Sequence, residues 1–131
     1  GTKEFVARAL RFRKLFGGGM RQGGILAAAA LYAVKNNIQR LKEDHSKAKF
    51  FADEIARIPS LNIDRDAVQT NIILIETDRT GKSTGDVLAL LKQHNVLLTP
   101  GNWNSIRAVT HLDVSMEEIQ QAVQIFKKIF S

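Results

Sequence analysis

The sequence contains no cysteine, only two prolines among 131 residues, and no apolar run long enough to cross a bilayer. The absence of cysteine excludes a disulfide framework, a thiolate metal site and a cysteine nucleophile. A membrane-spanning helix needs about 20 consecutive apolar residues, and the chain has no such stretch. Since no secretory signal pattern opens the chain either, the sequence favours a cytoplasmic protein.

Hydrophobic residues make up 44% of the sequence, which is enough to form a core and excludes a disordered tail. The length predicts a single domain over residues 1–131. The net charge is +6, and the excess of cations is concentrated near the start of the chain. Against Glu4 alone, residues 1–22 hold Lys3, Arg8, Arg11, Arg13, Lys14 and Arg21. This block either attracts phosphate, carboxylate or nucleic acid, or forms a solvated helix face.

Helical spacing of apolar residues dominates the first half of the chain. It predicts three helices, at about 2–16, 20–35 and 38–58. The second is apolar or small on all sides and is expected to be buried. In the third, His45 falls on the apolar stripe and is interpreted as a packed structural histidine, whereas Lys47 lies outside the stripe. Pro59 ends this helix.

After Pro59 the pattern changes to alternating and short apolar runs. We expect a β-β-α-β-β-α unit over residues 61–130, with strands at 61–63, 70–77, 96–98 and 105–110, a helix at 86–94 and a last helix after a capping box at Ser115 and Glu118. The run at 70–77 is apolar on both faces, so both faces are expected to be covered. The fold class is therefore α+β, with a small antiparallel sheet covered by helices.

Arg107 is a candidate for binding a carboxylate. It lies in mid-strand between apolar residues, where it is expected to be partly desolvated. Its planar guanidinium can donate two parallel hydrogen bonds to the two oxygens of a carboxylate. The alternative is an edge-strand arginine in water or in an internal ion pair.

Lys14 and Arg21 flank the three glycines Gly17–Gly19. Glycines allow backbone N–H groups to approach an anion, and a following helix N-terminus favours negative charge. The alternative is a helix-turn-helix corner whose glycines permit the turn and whose cations are solvated. Trp103 is either a rim aromatic or a ligand-stacking group. The three histidines lack metal-ligand spacing, so no metal site is predicted.

Three stretches together carry a family resemblance: RFRKLFGGGMRQGGILAAAALYAVKNNIQRLKEDH (11–45), TNI (70–72) and IRAVTHLDVS (106–115). They resemble the C-terminal third of low-specificity L-threonine aldolases. These are fold-type I pyridoxal-phosphate enzymes that cleave L-threonine and L-allo-threonine to glycine and acetaldehyde. The resemblance implies the small C-terminal domain of such an enzyme.

The resemblance also implies roles for individual residues. Arg107 matches the arginine that pairs with the substrate α-carboxylate, and Lys14 and Arg21 match basic residues lining the cofactor site. The family's cofactor-binding lysine and other catalytic groups match no residue of this chain. We therefore expect a fragment with no catalytic residue of its own, without covalently bound cofactor and inactive alone. The full-length form is expected to be a homotetramer, a dimer of dimers.

Two alternatives remain at this point. One is the small domain of another fold-type I pyridoxal-phosphate lyase, which would share the same architecture. The other is a free-standing basic module for anions or nucleic acid, although no stripe of cations with base-stacking aromatics is evident.

Overall fold

A computed structural model describes residues 1–131 and divides them into two compact units, Gly1–Gln39 and Arg40–Ser131. The first unit contains helices α1 (Lys3–Leu15) and α2 (Gly23–Asn36). The hydroxyl of Thr2 caps α1 by accepting a hydrogen bond from the N–H of Phe5 at 3.2 Å. Helix α2 ends at the asparagine pair where the sequence predicts a break.

The prediction that the second helix is buried is wrong for this chain. Neither α1 nor α2 has a buried residue, and Ile25 and Tyr32 are about two-thirds exposed. The reason is geometric: a helix that is apolar on all sides needs neighbours on all sides, and this unit contains only one other helix.

The second unit combines a sheet with three α-helices. Its helices are α3 (Leu41–Ile55), α4 (Thr84–Gln93) and α5 (Met116–Phe130), with a short 3-10 helix at Asp78–Thr80. Its strands are β1 (Ile72–Glu76), β2 (Thr99–Pro100) and β3 (Ser105–Val109). They form one antiparallel sheet in the order β1–β3–β2. The predicted α+β class with an antiparallel sheet is confirmed, as is the capping box that begins α5.

The core of this unit lies between the sheet and its helices. Helix α3 contacts β1 and packs along α5, and α4 contacts β2 and β3. Phe126 is fully buried and meets Phe51 edge to face, with 5.5 Å between ring centroids. Burying a side chain of this size contributes about 1.5–3 kcal/mol, so the α3–α5 contact is a main source of stability.

Two predicted strands differ from the structure. The strand at 61–63 is reduced to a single bridge between Asn62 and Glu76. The strand at 96–98 is not formed, because the N–H of Val96 donates to the carbonyl of Leu91 and so still belongs to the end of α4. Asn95 takes the left-handed conformation there, with φ of 61°. The extended segment begins three residues later, at β2.

Two residues of α3 are placed opposite to expectation. His45 is exposed, whereas Lys47 is buried. The inward face of the first turns includes Asp44, whose carboxylate lies 3.6 Å from the Lys47 ammonium and also contacts the Arg40 guanidinium at 3.4 Å. A buried lysine is tolerated here because its charge is paired.

Strand β1 is covered on one face only, so the expectation of two covered faces is wrong. Ile73 and Ile75 have no exposed surface, whereas Ile72 and Leu74 are 45% and 42% exposed. The helices of this unit cover the inner face and leave the outer face of the sheet open. None of the helices is long and apolar enough to cross a membrane.

The contact between Glu54 on α3 and Lys127 on α5 generates a pH prediction. The Lys127 ammonium donates a hydrogen bond to Glu54 at 2.6 Å and, with Arg57 nearby, holds the pKa of the Glu54 carboxyl below its ordinary value. A lowered folded-state pKa stabilises the protein above the unfolded-state pKa, and this contribution is lost as the pH falls through the folded-state pKa.

Glu54→Gln is therefore expected to lower the free energy of unfolding at about pH 7 and to have little effect at about pH 2, where both forms are neutral. Urea unfolding at the two pH values measures this. Glu43→Gln is the matched control, since that exposed carboxylate pairs only within its own helix. An equal loss of stability for Glu54→Gln at both pH values would contradict the assignment.

Candidate functional site

Arg107 lies at the centre of β3, on the outer face of the sheet. Ile106 and Ala108 on either side point into the core, so the predicted alternation of faces is confirmed. The expectation that Arg107 is partly desolvated is wrong, because its side chain is exposed in this chain. The open outer face explains the difference.

The ladder places Arg107 between two neighbours on the same face. It pairs with Leu74 on β1 and with Thr99 on β2. Next to this row, Ile72 pairs with Val109, and both are partly exposed apolar side chains. A single guanidinium thus stands on a largely apolar sheet face, where a carboxylate ligand would meet less competing water than on a charged surface.

The guanidinium of Arg107 has no carboxylate partner within the chain. The ion pairs of the second unit use Arg40, Lys47, Arg57, Arg65 and Lys127. The alternative of an internal ion pair is therefore wrong, and so is an edge strand, because β3 is the central strand. The exposed side chain agrees with the alternative of an arginine in water and leaves carboxylate binding open. Its two-pronged donor set is available to a carboxylate from outside the chain.

The glycine run is a helix C-cap. Gly17 has φ of +80°, its N–H donates to the carbonyl of Lys14 at 3.2 Å, and the N–H of Gly18 donates to the carbonyl of Arg13 at 2.7 Å. This is the Schellman arrangement that satisfies the last carbonyls of a helix. Both N–H groups donate to carbonyls of α1, so the hypothesis that they face an anion is wrong for these two positions.

The cations beside the glycines remain candidates for an anion. Lys14 and Arg21 are both exposed, in the last turn of α1 and in the turn before α2. Helix α2 begins at Gly23 without a side-chain cap or an acidic residue in its first turn. These features favour negative charge at that end of the helix. Lys14 and Arg21 belong to the first unit and Arg107 to the second.

The remaining candidates are peripheral. Trp103 is 96% exposed in the turn between β2 and β3. The Nδ1 atom of His111 accepts a hydrogen bond from the N–H of Asp113 at 3.2 Å, which places the proton of the neutral ring on Nε2. His94 follows the last residue of α4. These residues form no common site, and no group of three or more histidine or acidic side chains is placed to hold a metal ion.

Sequence reasoning missed a pair of polar contacts at the ends of the β1–β3 ladder. Asn71 contacts Thr110 at one end, and Thr77 contacts Asn104 at the other. The signal is present in the sequence. Each of these two five-residue strands is preceded by an asparagine and followed by a threonine, as N-IILIE-T and N-SIRAV-T. Antiparallel pairing of two such segments brings each asparagine opposite a threonine.

Comparison with known proteins agrees with this architecture. A family model described as beta-eliminating lyase matches residues 1–78, more than half of the chain, and the chain belongs to that family. It is 40% identical to the low specificity L-threonine aldolase of Escherichia coli strain K12, over 92% of this chain and 34% of the relative. It is 37% identical to the probable low-specificity L-threonine aldolase 2 of Arabidopsis thaliana, over 99% of this chain and 37% of the relative.

Solved structures share the fold at lower sequence similarity. The chain aligns with C-DES, a cystine C-S lyase, in a mutant with glycine covalently linked to its pyridoxal-phosphate cofactor. The TM-score is 0.62 at 19% identity, over 82% of this chain and 28% of the other. The chain thus shares its fold with part of C-DES. The chain spans about a third of the length of the relatives that it matches.

The first unit carries groups of the kind that bind a phosphate. Lys14, Arg21 and the uncapped start of α2 offer cationic and N–H donors of the kind that bind a phosphate. The most exposed aromatic, Trp103, belongs to the unit that does not contain these cations. We assign no residue of this chain to the ring of pyridoxal phosphate.

The C-cap at Gly17 can be tested by alanine substitution. Gly17→Ala forces an L side chain into the left-handed region and is expected to destabilise α1 by about 1 kcal/mol. Hydrogen exchange of the last amides of α1 measures this loss. Gly19→Ala is the matched control, since Gly19 has neither a positive φ nor any atom within 4 Å of an added Cβ. Equal exchange in the two variants would show that Gly17 is not the cap.

Proposed function

We propose that this chain is the small C-terminal part of a pyridoxal-phosphate-dependent lyase that cleaves L-threonine and L-allo-threonine to glycine and acetaldehyde. The observation that carries the proposal is Arg107, whose guanidinium lies on the open face of the central strand without an internal partner. The similarity to threonine aldolases supports the choice of substrate and reaction. The lyase family and fold support the dependence on pyridoxal phosphate.

Arg107 would bind the α-carboxylate of the amino acid through two parallel N–H···O bonds. Holding the carboxylate at both oxygens fixes the rotation of the substrate about its Cα. The cofactor, when bound, supplies the electron sink for cleavage of the Cα–Cβ bond. The contribution of Arg107 is thus orientation: it sets which bond of Cα faces the electron sink, and takes no proton.

Lys14 and Arg21 would hold negative charge from the cofactor's phosphate or from the substrate. Both are exposed and unpaired with acids in this chain, so they are free to serve an active site assembled with other parts of the enzyme. In a homotetramer built from dimers with shared sites, that phosphate would belong to a neighbouring subunit. No lysine of this chain is assigned to the covalent attachment of the cofactor.

The role of Arg107 predicts a kinetic result in the full-length enzyme. Arg107→Ala is expected to weaken L-threonine binding and lower kcat/KM by at least about a hundredfold, the worth of a charge-assisted pair of hydrogen bonds. Arg107→Lys should recover little, because a lysine ammonium cannot match both carboxylate oxygens. Steady-state kinetics of acetaldehyde release measures both. Kinetics unchanged from those of the wild type would refute the role.

The 131-residue chain itself is expected to bind pyridoxal phosphate weakly and without a covalent bond. Titration with the cofactor should therefore produce no stoichiometric new visible absorption band, and borohydride treatment should leave the mass of the chain unchanged. The full-length enzyme is the positive control. A stoichiometric visible absorption band from the isolated chain would contradict the proposal that the lysine that attaches the cofactor lies outside this chain.

A second reaction is supported by the family to which the chain belongs. Beta-eliminating lyases use the same fold, and C-DES cleaves a C–S bond. Arg107 would bind the α-carboxylate in either reaction, so the residues of this chain do not discriminate between them. Assaying the full-length enzyme with L-threonine and with L-cystine separates the two: acetaldehyde from the first supports the aldolase, whereas pyruvate from the second supports elimination.

A further inference from the structure

The ladder that carries Arg107 ends in a polar contact on each side. At one end, the N–H of Thr110 donates to the carbonyl of Asn71 at 2.9 Å, and the side-chain amide of Asn71 donates back to the carbonyl of Thr110 at 2.8 Å. At the other end, the N–H and hydroxyl of Thr77 both donate to the carbonyl of Asn104, at 2.8 and 3.0 Å. We call these two pairs the threonine–asparagine clamps.

Both clamps are built from buried threonines. Thr77 is 1% exposed and Thr110 is 2% exposed. The Thr110 hydroxyl also donates to the backbone carbonyl of Asp44 on α3 at 2.7 Å, which ties this clamp to the helix layer. Every polar group of Thr110 therefore has a partner. Asn104 has φ of 56°, a left-handed conformation that asparagine tolerates better than most residues.

The hydrophobic pattern of β1 does not fix the register of the ladder. Four consecutive residues, IILI at 72–75, are apolar. If β1 slipped by one residue, it would therefore still present apolar side chains to the core. Register is weakly specified in strands that are alike on both faces. The hydrophobic pattern of β1 alone therefore does not select the observed pairing.

A slip on the side of β3 would have a large consequence. Because side chains alternate between faces, moving β3 by one residue would turn Arg107 into the core and Ile106 or Ala108 outward. Burying that guanidinium without a partner is strongly unfavourable. The clamps also favour the observed register. Two of their four hydrogen bonds come from side chains, and both of these form between the paired residues when Asn71 faces Thr110 and Thr77 faces Asn104.

We infer that the two clamps set the register of β1 against β3 and thereby position Arg107 at the midpoint of the ladder, opposite Leu74. Thr77, Asn104, Asn71 and Thr110 are positioning residues and do not touch the ligand. Arg107 is the third of the five residues between Asn104 and Thr110, so it is equally distant from both clamps. This inference rests on the proposed role of Arg107 in carboxylate binding.

The test compares Thr77→Val, which keeps the shape of the side chain and removes the hydroxyl that donates to the Asn104 carbonyl, with Thr77→Ser, which keeps that hydroxyl. In the full-length enzyme, hydrogen exchange of a peptide covering residues 104–111 should accelerate by about three- to tenfold for valine, the worth of one hydrogen bond. The serine variant should remain close to the wild type. At the other clamp, Asn71→Ala removes the side-chain hydrogen bond to the Thr110 carbonyl and should accelerate exchange to a similar degree.

The kinetic readout separates positioning from general destabilisation. In Thr77→Val and Asn71→Ala, KM for L-threonine should rise by about three- to tenfold, with kcat within about twofold of the wild type. Ser60→Ala is the control, because it removes a side-chain hydrogen bond to the carbonyl of Phe130 and leaves both clamps intact. That control should lower stability without changing KM.

The outcomes distinguish this inference from the proposed function. If Arg107→Ala weakens substrate binding but Thr77→Val and Asn71→Ala keep the wild-type exchange and KM, the clamps do not position Arg107. If Arg107→Ala itself leaves KM unchanged, the carboxylate role fails and the positioning role falls with it. Should Thr77→Val not fold, Asn71→Ala removes only the side-chain bond to the Thr110 carbonyl and is expected to produce the same rise in KM.

Discussion

The antiparallel pairing of β1 with β3 is the constraint on which both faces of the sheet depend. Pairing Ile73 with Ala108 and Ile75 with Ile106 supplies the inner face with its apolar side chains. The same register leaves Arg107 on the outer face. The core and the candidate site are therefore alternate rows of one ladder, and neither could move without the other. The helices α3 and α5 stabilise this arrangement from one side only, which is why the opposite side remains open for a ligand.

Much of the second unit could be predicted from local patterns, since these depend on near neighbours. The alternation around Arg107 and the capping box at Ser115 are examples, because each requires only residues within one strand or one helical turn. His45 and Lys47 were misplaced for the opposite reason. Which of them faces inward depends on Asp44, which offers a buried partner for the lysine charge. Periodicity counts apolar residues and does not anticipate a paired charge.

The candidate site was predictable in its residue types more than in its geometry. The arginine in mid-strand was visible in the sequence, and so were the glycines beside two cations. The role of Gly17 was not, because a glycine that approaches an anion and a glycine that caps a helix look alike without φ. The threonine–asparagine clamps were hidden because each joins residues 27 or 39 positions apart. A repeated asparagine–threonine spacing has meaning only once the two strands are known to pair.

The exposed helices of the first unit carry the net positive charge of the chain as well as apolar side chains. Gly1–Gln39 holds seven lysines and arginines against one glutamate, whereas Arg40–Ser131 holds twelve of each sign, so the whole net charge of +6 belongs to the first unit. Two copies brought together through α1 and α2 would therefore meet cation against cation. At low ionic strength this repulsion opposes the attraction between their apolar side chains. At 0.1 M, added salt screens the repulsion between charges more than about 10 Å apart and leaves the hydrophobic attraction in place. We therefore expect dilute buffer to keep the copies apart and added salt to favour their association.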